Sequence, residues 1–331
     1  MIRALYRTPE GKTSELEPAA LPAAIPAALA ASGGLLWVDL FAEPPEICEP
    51  LLCGTFGFHP LAVDDALQES HVPKLDDWDS YLYVVLHAVH NEGDDAGALS
   101  THELDLFVGH NFLVTHREER IPALDSVWAA CRKDERYLGR GSEHLLYRLV
   151  DELVAGHLPV IEAIDGEVER LEEQILARPV PQSLEQALRA KRALLLLRRI
   201  LAPQREVLNR LARDELKIIR PEYRVYFRDV YDHLVRLYGI TENVRDLVAG
   251  ILEMYLSALN NRMNEVMKTF TLITTLFMPI SFVVGFFGMN FFAPSLVPLA
   301  WTGRAALWTV LGILALTPLA MYFWLRLRRW V

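Results

Sequence analysis

Two uncharged apolar runs close this chain, Thr269–Phe287 and Ala305–Leu325. Each is about 20 residues, the length a helix needs to cross roughly 30 Å of hydrocarbon. The interval between them, Gly288 to Arg304, is too short to fold alone. Such a chain is a polar body followed by a membrane hairpin, and every other feature has to be compatible with that.

The first residues, MIRALYRTPEGKTSE, contain no apolar segment of the secretory kind, so the polar body is expected in the cytosol. Lys268 precedes the first run, and Arg326, Arg328 and Arg329 follow the second. Basic residues outside both ends place both termini of the hairpin on the cytoplasmic side. The expected location is therefore the cytoplasmic membrane, with both chain termini cytosolic and Arg304 the only charge in the outer loop. Net charge is −10 overall, yet residues 1–263 hold 42 of the 43 acids and 28 of the 33 bases, a net of −14. An acidic body of this kind is a poor partner for nucleic acid and can attract cations; ordinary solubilising charge explains it equally well. Cys48, Cys53 and Cys131 give no disulfide framework or zinc-ligand spacing, and the ten histidines contain no HExxH or HxH. With no nucleophile–base set and no Gly-rich phosphate loop, the chain does not read as an enzyme.

Residues 1–140 carry strand-like stretches at Leu35–Phe41, Tyr81–His90 and Leu104–His116, rich in β-branched and aromatic residues. The Pro- and Ala-rich Glu17–Ala31 reads as a loop with a helix, and His59–Gln68 as a short helix with Pro60 near its start. Residues 141–220 read as an antiparallel helical pair, kinked or broken at Pro159 and Pro203, with Ser183 and Gln186 resembling a capping box. Acids on the first arm (Asp165, Glu167, Glu169, Glu172, Glu173) face bases on the second (Arg189, Lys191, Arg192, Arg198, Arg199). Exposed pairs between the arms would contribute little. The remaining division is a stalk helix over 221–268, a first span over 269–287, a loop over 288–304, a second span over 305–325 and a basic tail over 326–331.

After Pro221 no proline intervenes before Pro279. Val230, Leu234, Leu237, Thr241, Val244, Val248, Ile251, Tyr255 and Ala258 recur in alternating steps of four and three. This is a heptad seam, and it predicts association with a partner helix in a symmetric oligomer. Packing of the seam inside its own subunit is the alternative. Helix continuing from Pro221 into the first span would be about 100 Å long. Near Arg262 the phase shifts, and a second stripe reads Asn264, Met267, Phe270, Thr274, Met278, Ser281, Gly285. Small and polar residues on one stripe suit helix–helix contact in lipid and suit an aqueous pore lining equally. No acid or base lies within the span, which argues against a proton relay and fits an ion crossing with its water shell on. Magnesium sheds water reluctantly, and backbone carbonyls with an Asn oxygen at Gly288-Met289-Asn290 can hydrogen-bond that shell without stripping it. Apolar constrictions at Met267, Phe270 and Met278 can gate by dewetting.

These residues resemble a known family, the CorA-type divalent cation channels of the two-span GMN superfamily. FGFHPLAVDDALQESHVPK (Phe56–Lys74), RRILAPQREVL (Arg198–Leu208), YFRDVYDH (Tyr226–His233) and NRMNEVMKTFTLITTLFMPISFVVGFFGMNF (Asn261–Phe291) carry the resemblance. It implies an α+β cytosolic domain with a long helical stalk and two C-terminal transmembrane helices, assembled in the lipid bilayer as a funnel-shaped homopentamer. The expected cargo is Mg2+, with Co2+ or Ni2+. The resemblance makes Gly288, Met289 and Asn290 the selectivity ring, and Asn264, Met267, Phe270, Met278 and Ser281 the pore lining, with Thr274 on the same stripe. It makes Asp65 and Asp229 a regulatory Mg2+ pair across subunits, with Asp64 at a neighbouring site.

The outer loop departs from the family pattern. The family often has an acid shortly after GMN, whereas here the loop reads Phe291-Phe292-Ala293-Pro294-Ser295-Leu296-Val297-Pro298. A Zn2+, Co2+ or Ni2+ transporter of the same superfamily, proton-coupled or not, and a non-conducting membrane metal sensor are the competing readings.

Overall fold

The computed structural model describes residues 1–31, 33–68, 72–91, 99–289 and 303–327. They form two compact units, Met1–Met254 and Tyr255–Val331. The first contains one seven-stranded sheet: β1 (Ile2–Arg7), β2 (Thr13–Leu16), β3 (Leu35–Phe41), β4 (Lys74–Asp77), β5 (Leu82–Asn91), β6 (Leu99–Val108) and β7 (Phe112–Arg117). Their order is β2-β1-β3-β7-β6-β5-β4, and only β3 with β7 runs parallel.

β3 is buried on both faces, which is why Leu35–Phe41 is almost continuously apolar. Leu36, Val38 and Leu40 join one core cluster with Leu21, Ile25 and Ala28 of α1 (Leu21–Ala30). Cys48 of α2 (Pro45–Glu49) and Ala62, Val63 and Ala66 of α3 (Pro60–Leu67) complete that side. On the other face Trp37 meets Trp128 of α4 (Pro122–Lys133), with ring centroids 4.7 Å apart. Each fully buried Leu or Val side chain contributes roughly 1.5–3 kcal/mol, so a strand covered twice is the natural centre. All three cysteines are free, with Cys48 and Cys131 buried.

Asp39 interrupts this run of β3, fully buried and saturated with donors. It accepts from Thr115 Oγ1 (2.7 Å), Arg3 Nε (2.8 Å) and a guanidinium nitrogen of Arg117 (3.2 Å). Arg3 and Arg117 also donate to Asp125 in the first turn of α4, at 2.9 and 3.0 Å. Burial opposes the charged Asp125 carboxylate, but hydrogen bonds from Arg120 and Arg3 and the Arg117 charge prevail and hold its pKa below the ordinary value.

The stretch Leu104–His116 is two strands and not one. The chain reverses after Gly109, whose N–H donates to the Phe112 carbonyl at 3.0 Å. A Cβ at Gly109 would stand 2.2 Å from the Phe112 ring, so only glycine fits. The helical region also departs from expectation. The break falls at Gly156, between α5 (Ser142–Ala155) and α6 (His157–Ala177). Pro159 lies in the first turn of α6, where a missing N–H costs nothing. α7 (Pro181–Arg213) runs on through Pro203. It starts at Pro181, so Ser183 is no cap: its hydroxyl is buried in the first turn without a hydrogen-bond partner.

The largest correction concerns the seam on α8 (Arg224–Phe287). Val230, Leu234, Leu237, Thr241, Val244, Val248, Ile251 and Tyr255 are all buried within the single chain. α8 lies against the preceding helices: Phe227 meets the Tyr147 ring at 6.3 Å, Tyr238 lies under Arg205 at 4.9 Å, and Glu242 pairs with Arg198 at 3.5 Å. The heptad pattern thus records packing inside the subunit, and it carries no evidence for a second copy. Arg198, expected to pair with the first arm, serves α8 instead.

At the centre of this packing Gln204 of α7 accepts from the His87 backbone N–H at 3.0 Å and holds His157 Nε2 at 3.1 Å. With its oxygen occupied, the Gln204 amide must donate, so His157 is neutral with its proton on Nδ1. Burial, then the charges of His233 and His87, push the His157 pKa from 6.5 down to about 4. Between those values an unfolded chain takes up a proton that the fold refuses. Stability present above pH 6.5 is therefore lost as pH falls towards 4, by up to about 3 kcal/mol. His157→Gln should flatten this slope in thermal unfolding of the purified protein; an unchanged slope would place the acid sensitivity elsewhere.

Candidate ion pathway and carboxylate site

α8 changes character beyond Tyr255. In the second unit Asn264, Met267, Phe270, Thr274, Met278, Ser281 and Gly285 are all exposed, as the phase-shifted stripe predicts for a face with no partner inside the chain. The half-covered positions are Leu272, Thr275, Leu276, Pro279, Ile280, Val283 and Phe287. Leu272, Leu276, Ile280, Val283 and Phe287 lie two residues along from the stripe, roughly 200° around the helix, while Thr275 and Pro279 lie one residue along and so flank it. α9 (Arg304–Leu327) has its own covered face at Val310, Leu314, Thr317, Met321 and Leu325. Exposure is not confined to the stripe, since Ile273, Phe277, Phe282 and Val284 are exposed as well; what sets the stripe apart is its mixed polar composition.

Hydroxyls on α8 fall into two sets that do not follow the stripe alone, because among the described residues Thr275, off the stripe, also lacks a hydrogen bond. Thr269 and Thr271 donate to the carbonyls of Glu265 and Met267, at 2.9 and 2.8 Å. Among the described residues Thr274 and Ser281 make no such bond, so their hydroxyls are free for water. α8 closes at Gly288, whose N–H donates to Val284 O at 2.8 Å, and Met289 donates to Phe286 O at 3.3 Å. A Cβ on Gly288 would stand 2.9 Å from the Val284 carbonyl. Asn290 and the loop after it lie outside the described residues.

The carboxylates belong to the first unit. His59 builds their platform: its Nδ1 accepts from Leu61 N–H at 3.2 Å, its backbone N–H donates to Tyr81 Oη at 2.9 Å, and its ring stacks on Trp78 at 4.3 Å. Pro60 at the first helical position needs no N–H partner. Because α3 buries Ala62, Val63 and Ala66, Asp64 and Asp65 face outward. Asp64 accepts from Gln68, and Asp65 is paired with the Lys74 ammonium. Asp229 is exposed on α8 between buried Phe227 and Val230. Among the described residues no hydrogen bond or ion pair joins Asp65 to Asp229, and no cluster of three or more His, Cys, Asp or Glu forms. Among the buried histidines, His87 pairs with Glu103 at 3.3 Å, and His116 lies between Asp105 at 3.4 Å and Glu118 at 3.6 Å. Oxygen-only carboxylates suit a hard dication. In one copy, though, they supply too few ligands, and Lys74 already stands where a cation would bind. Sequence reading missed Lys74 as a competitor, although it closes the quoted Phe56–Lys74 segment.

Residues 32–329 match the model of a family described as CorA-like Mg2+ transporter protein. The chain belongs to that family. A Thermotoga maritima protein named cobalt/magnesium transport protein CorA is 34% identical over 83% of this chain and 78% of its own length. YfjQ of Bacillus subtilis (strain 168) is 34% identical over 89% of each chain. Among solved structures, the complete CorA magnesium transporter of Methanocaldococcus jannaschii superimposes with a TM-score of 0.84 over 99% of this chain and 98% of that one, at 22% identity. The expected fold class therefore holds: an α+β body, a long helix and two C-terminal apolar helices of a membrane transporter.

Removing the competing ammonium tests the carboxylate site directly. If Asp65 binds the ion, Lys74→Gln is expected to shift half-saturation of Mg2+ binding to the purified protein, read by calorimetry, to several-fold lower Mg2+. An unmoved midpoint would mean that Asp65 does not bind the ion.

Proposed function

We propose that this chain is one subunit of a homo-oligomeric channel, five-fold by the family resemblance, passing hydrated Mg2+, and Co2+ or Ni2+, down the electrical gradient. The observation that carries this reading is the stripe Asn264–Gly285, exposed throughout, which gathers an amide, hydroxyls and a glycine along one line of the helix. An uncharged helix has no reason to keep free hydroxyls, an amide and a glycine on one face unless that face meets water or another copy.

In this reading the copies place their stripes around a common axis. Met267, Phe270 and Met278 form narrow apolar rings that exclude water when close together and wet when apart. Thr274 and Ser281 offer hydroxyls between those rings. At the outer mouth Asn290 carboxamides and the carbonyls of Gly288 and Met289 hydrogen-bond the ion's water shell. Asn264 does the same near the inner end. No step needs a proton, because neither span carries an Asp, Glu, His, Lys or Arg.

Regulation comes from the carboxylates. Asp65 of one copy and Asp229 of the next, with Asp64 beside them, bridge a dication when it is abundant. When it is scarce they repel. Asp229 shares α8 with the stripe, so bridging would hold the pore helices together and the constriction dry. Both termini then lie in the cytosol and the body senses internal Mg2+.

Flux of Mg2+, Co2+, Ni2+ and Zn2+ through purified protein in liposomes tests the reading. Asn290→Ala should abolish flux, an outcome that a non-conducting sensor cannot produce. Asp229→Lys should leave the channel open at high internal Mg2+. Wild-type feedback in that variant would remove Asp229 from the regulatory site, and flux that requires a pH gradient would replace the channel with a coupled transporter.

A further inference from the structure

Where α4 ends and α5 begins, the acidic body carries a patch of opposite sign. Arg136, Arg140 and Arg148 line a cavity of about 480 Å³ together with His144, Tyr147 and Tyr226. That volume lies within the range of small-ligand sites. Asp134 is the acid in the wall and is taken up by Arg136, whose Nε donates to it at 3.0 Å. Arg148 shares its charge with Asp151 at 3.1 Å. The Arg140 guanidinium has no hydrogen bond or ion pair among the described residues. Its backbone carbonyl, by contrast, is held by Tyr223 Oη at 2.9 Å and Arg220 at 3.3 Å, so the residue is anchored while its charge is free.

His144 supplies the second, independent observation. It is only 7% exposed and lines the cavity, yet neither ring nitrogen has a hydrogen-bond partner among the described residues. Its ring nitrogens are not sealed from solvent, so they open onto the cavity, where a ligand can take them up. Burial, reinforced by the charges of Arg140 and Arg148, pushes its pKa from 6.5 down to about 4. The imidazole is therefore neutral at cellular pH, with one N–H to donate. The rest of the lining is aromatic. Tyr147 and Tyr226 stand 5.2 Å apart at 46°, and Tyr226 is 46% exposed, leaving a ring face open at the mouth.

We infer that this cavity binds a nucleoside phosphate, its phosphate on Arg140 and the His144 N–H and its base against Tyr226. Guanidinium forks match phosphate oxygens, and a base stacks on a tyrosine face with little demand on its identity. The site lies wholly in the first unit and does not depend on ion conduction.

Calorimetry on the purified full-length chain in Mg2+-free buffer, with ADP, AMP, inorganic phosphate and adenosine as separate titrants, tests it. ADP is expected to bind saturably at one site per chain. Arg140→Ala should weaken ADP by about tenfold or more, as loss of a charged hydrogen bond does. Tyr226→Ala should weaken ADP several-fold and leave phosphate unchanged. Both side chains are exposed, so neither change threatens the fold, and an unaltered circular dichroism spectrum checks that. Absence of saturable ADP binding at millimolar concentration, or wild-type affinity in Arg140→Ala, overturns the proposal. Phosphate binding as tightly as ADP overturns its aromatic half.

Discussion

One helix face can satisfy only one environment at a time, and α8 solves this by changing which face is covered along its length. Up to Tyr255 its apolar seam is consumed by the helices of its own subunit. From Asn264 onward the phase has moved, and the stripe that would continue a partner-facing surface is unoccupied. The shift separates two jobs on one rod. The first segment is fixed to the body by burial worth several kcal/mol per turn, while the second presents its uncharged, hydroxyl-bearing face elsewhere. A helix with one uninterrupted seam would have either buried the stripe or freed the stalk.

The body that anchors α8 is itself organised around charge buried in the sheet. Asp39 lies on a strand otherwise selected for apolar burial, and it binds Arg3 of β1 and Arg117 of β7 to α4 through Asp125. Two nitrogens of Arg117, Nε and one terminal nitrogen, find no partner among the described residues. Such a network adds little net stability over an apolar core, yet removing one member leaves an uncompensated charge. Its value is geometric: it fixes the register of three strands against the helical layer, and that layer carries the seam partners of α8.

Much of this was legible in the chain. The spans showed through their lack of charge, β3 through its apolar run, and α3 through His59 and Pro60. The stripe beginning at Asn264 was visible as a phase shift. The seam was found but given the wrong partner, because a heptad repeat reports that a face is buried and says nothing of what buries it. The Gly109 turn hid inside a run of strand formers, since its glycine acts through one contact with Phe112. Ser183 looked like a cap because its spacing to Gln186 was right, but Pro181, two residues earlier, starts a helix better. The Lys74–Asp65 ion pair and the placement of His144 in a cavity wall depend on the tertiary fold, and no local pattern announces them.

The segment between the two apolar runs lacks one electrostatic element that a cation pathway can use. Phe291 to Pro298 carry no acid, and Arg304 is the nearest charge. In the proposed channel a dication nearing such a mouth would meet amide and carbonyl dipoles, whose fields fall off faster than that of a carboxylate ring. Concentration of ions at the entrance would then rest on the membrane potential and the lipid surface, giving slower entry and a weaker dependence on external salt than an acidic ring confers. Discrimination shifts accordingly. Without a formal charge to favour any dication, the preference must come from how well fixed oxygens match a hydration shell, which rewards the ion that holds its water most firmly. By that reasoning an acid-free loop sharpens the case for magnesium at the expense of rate.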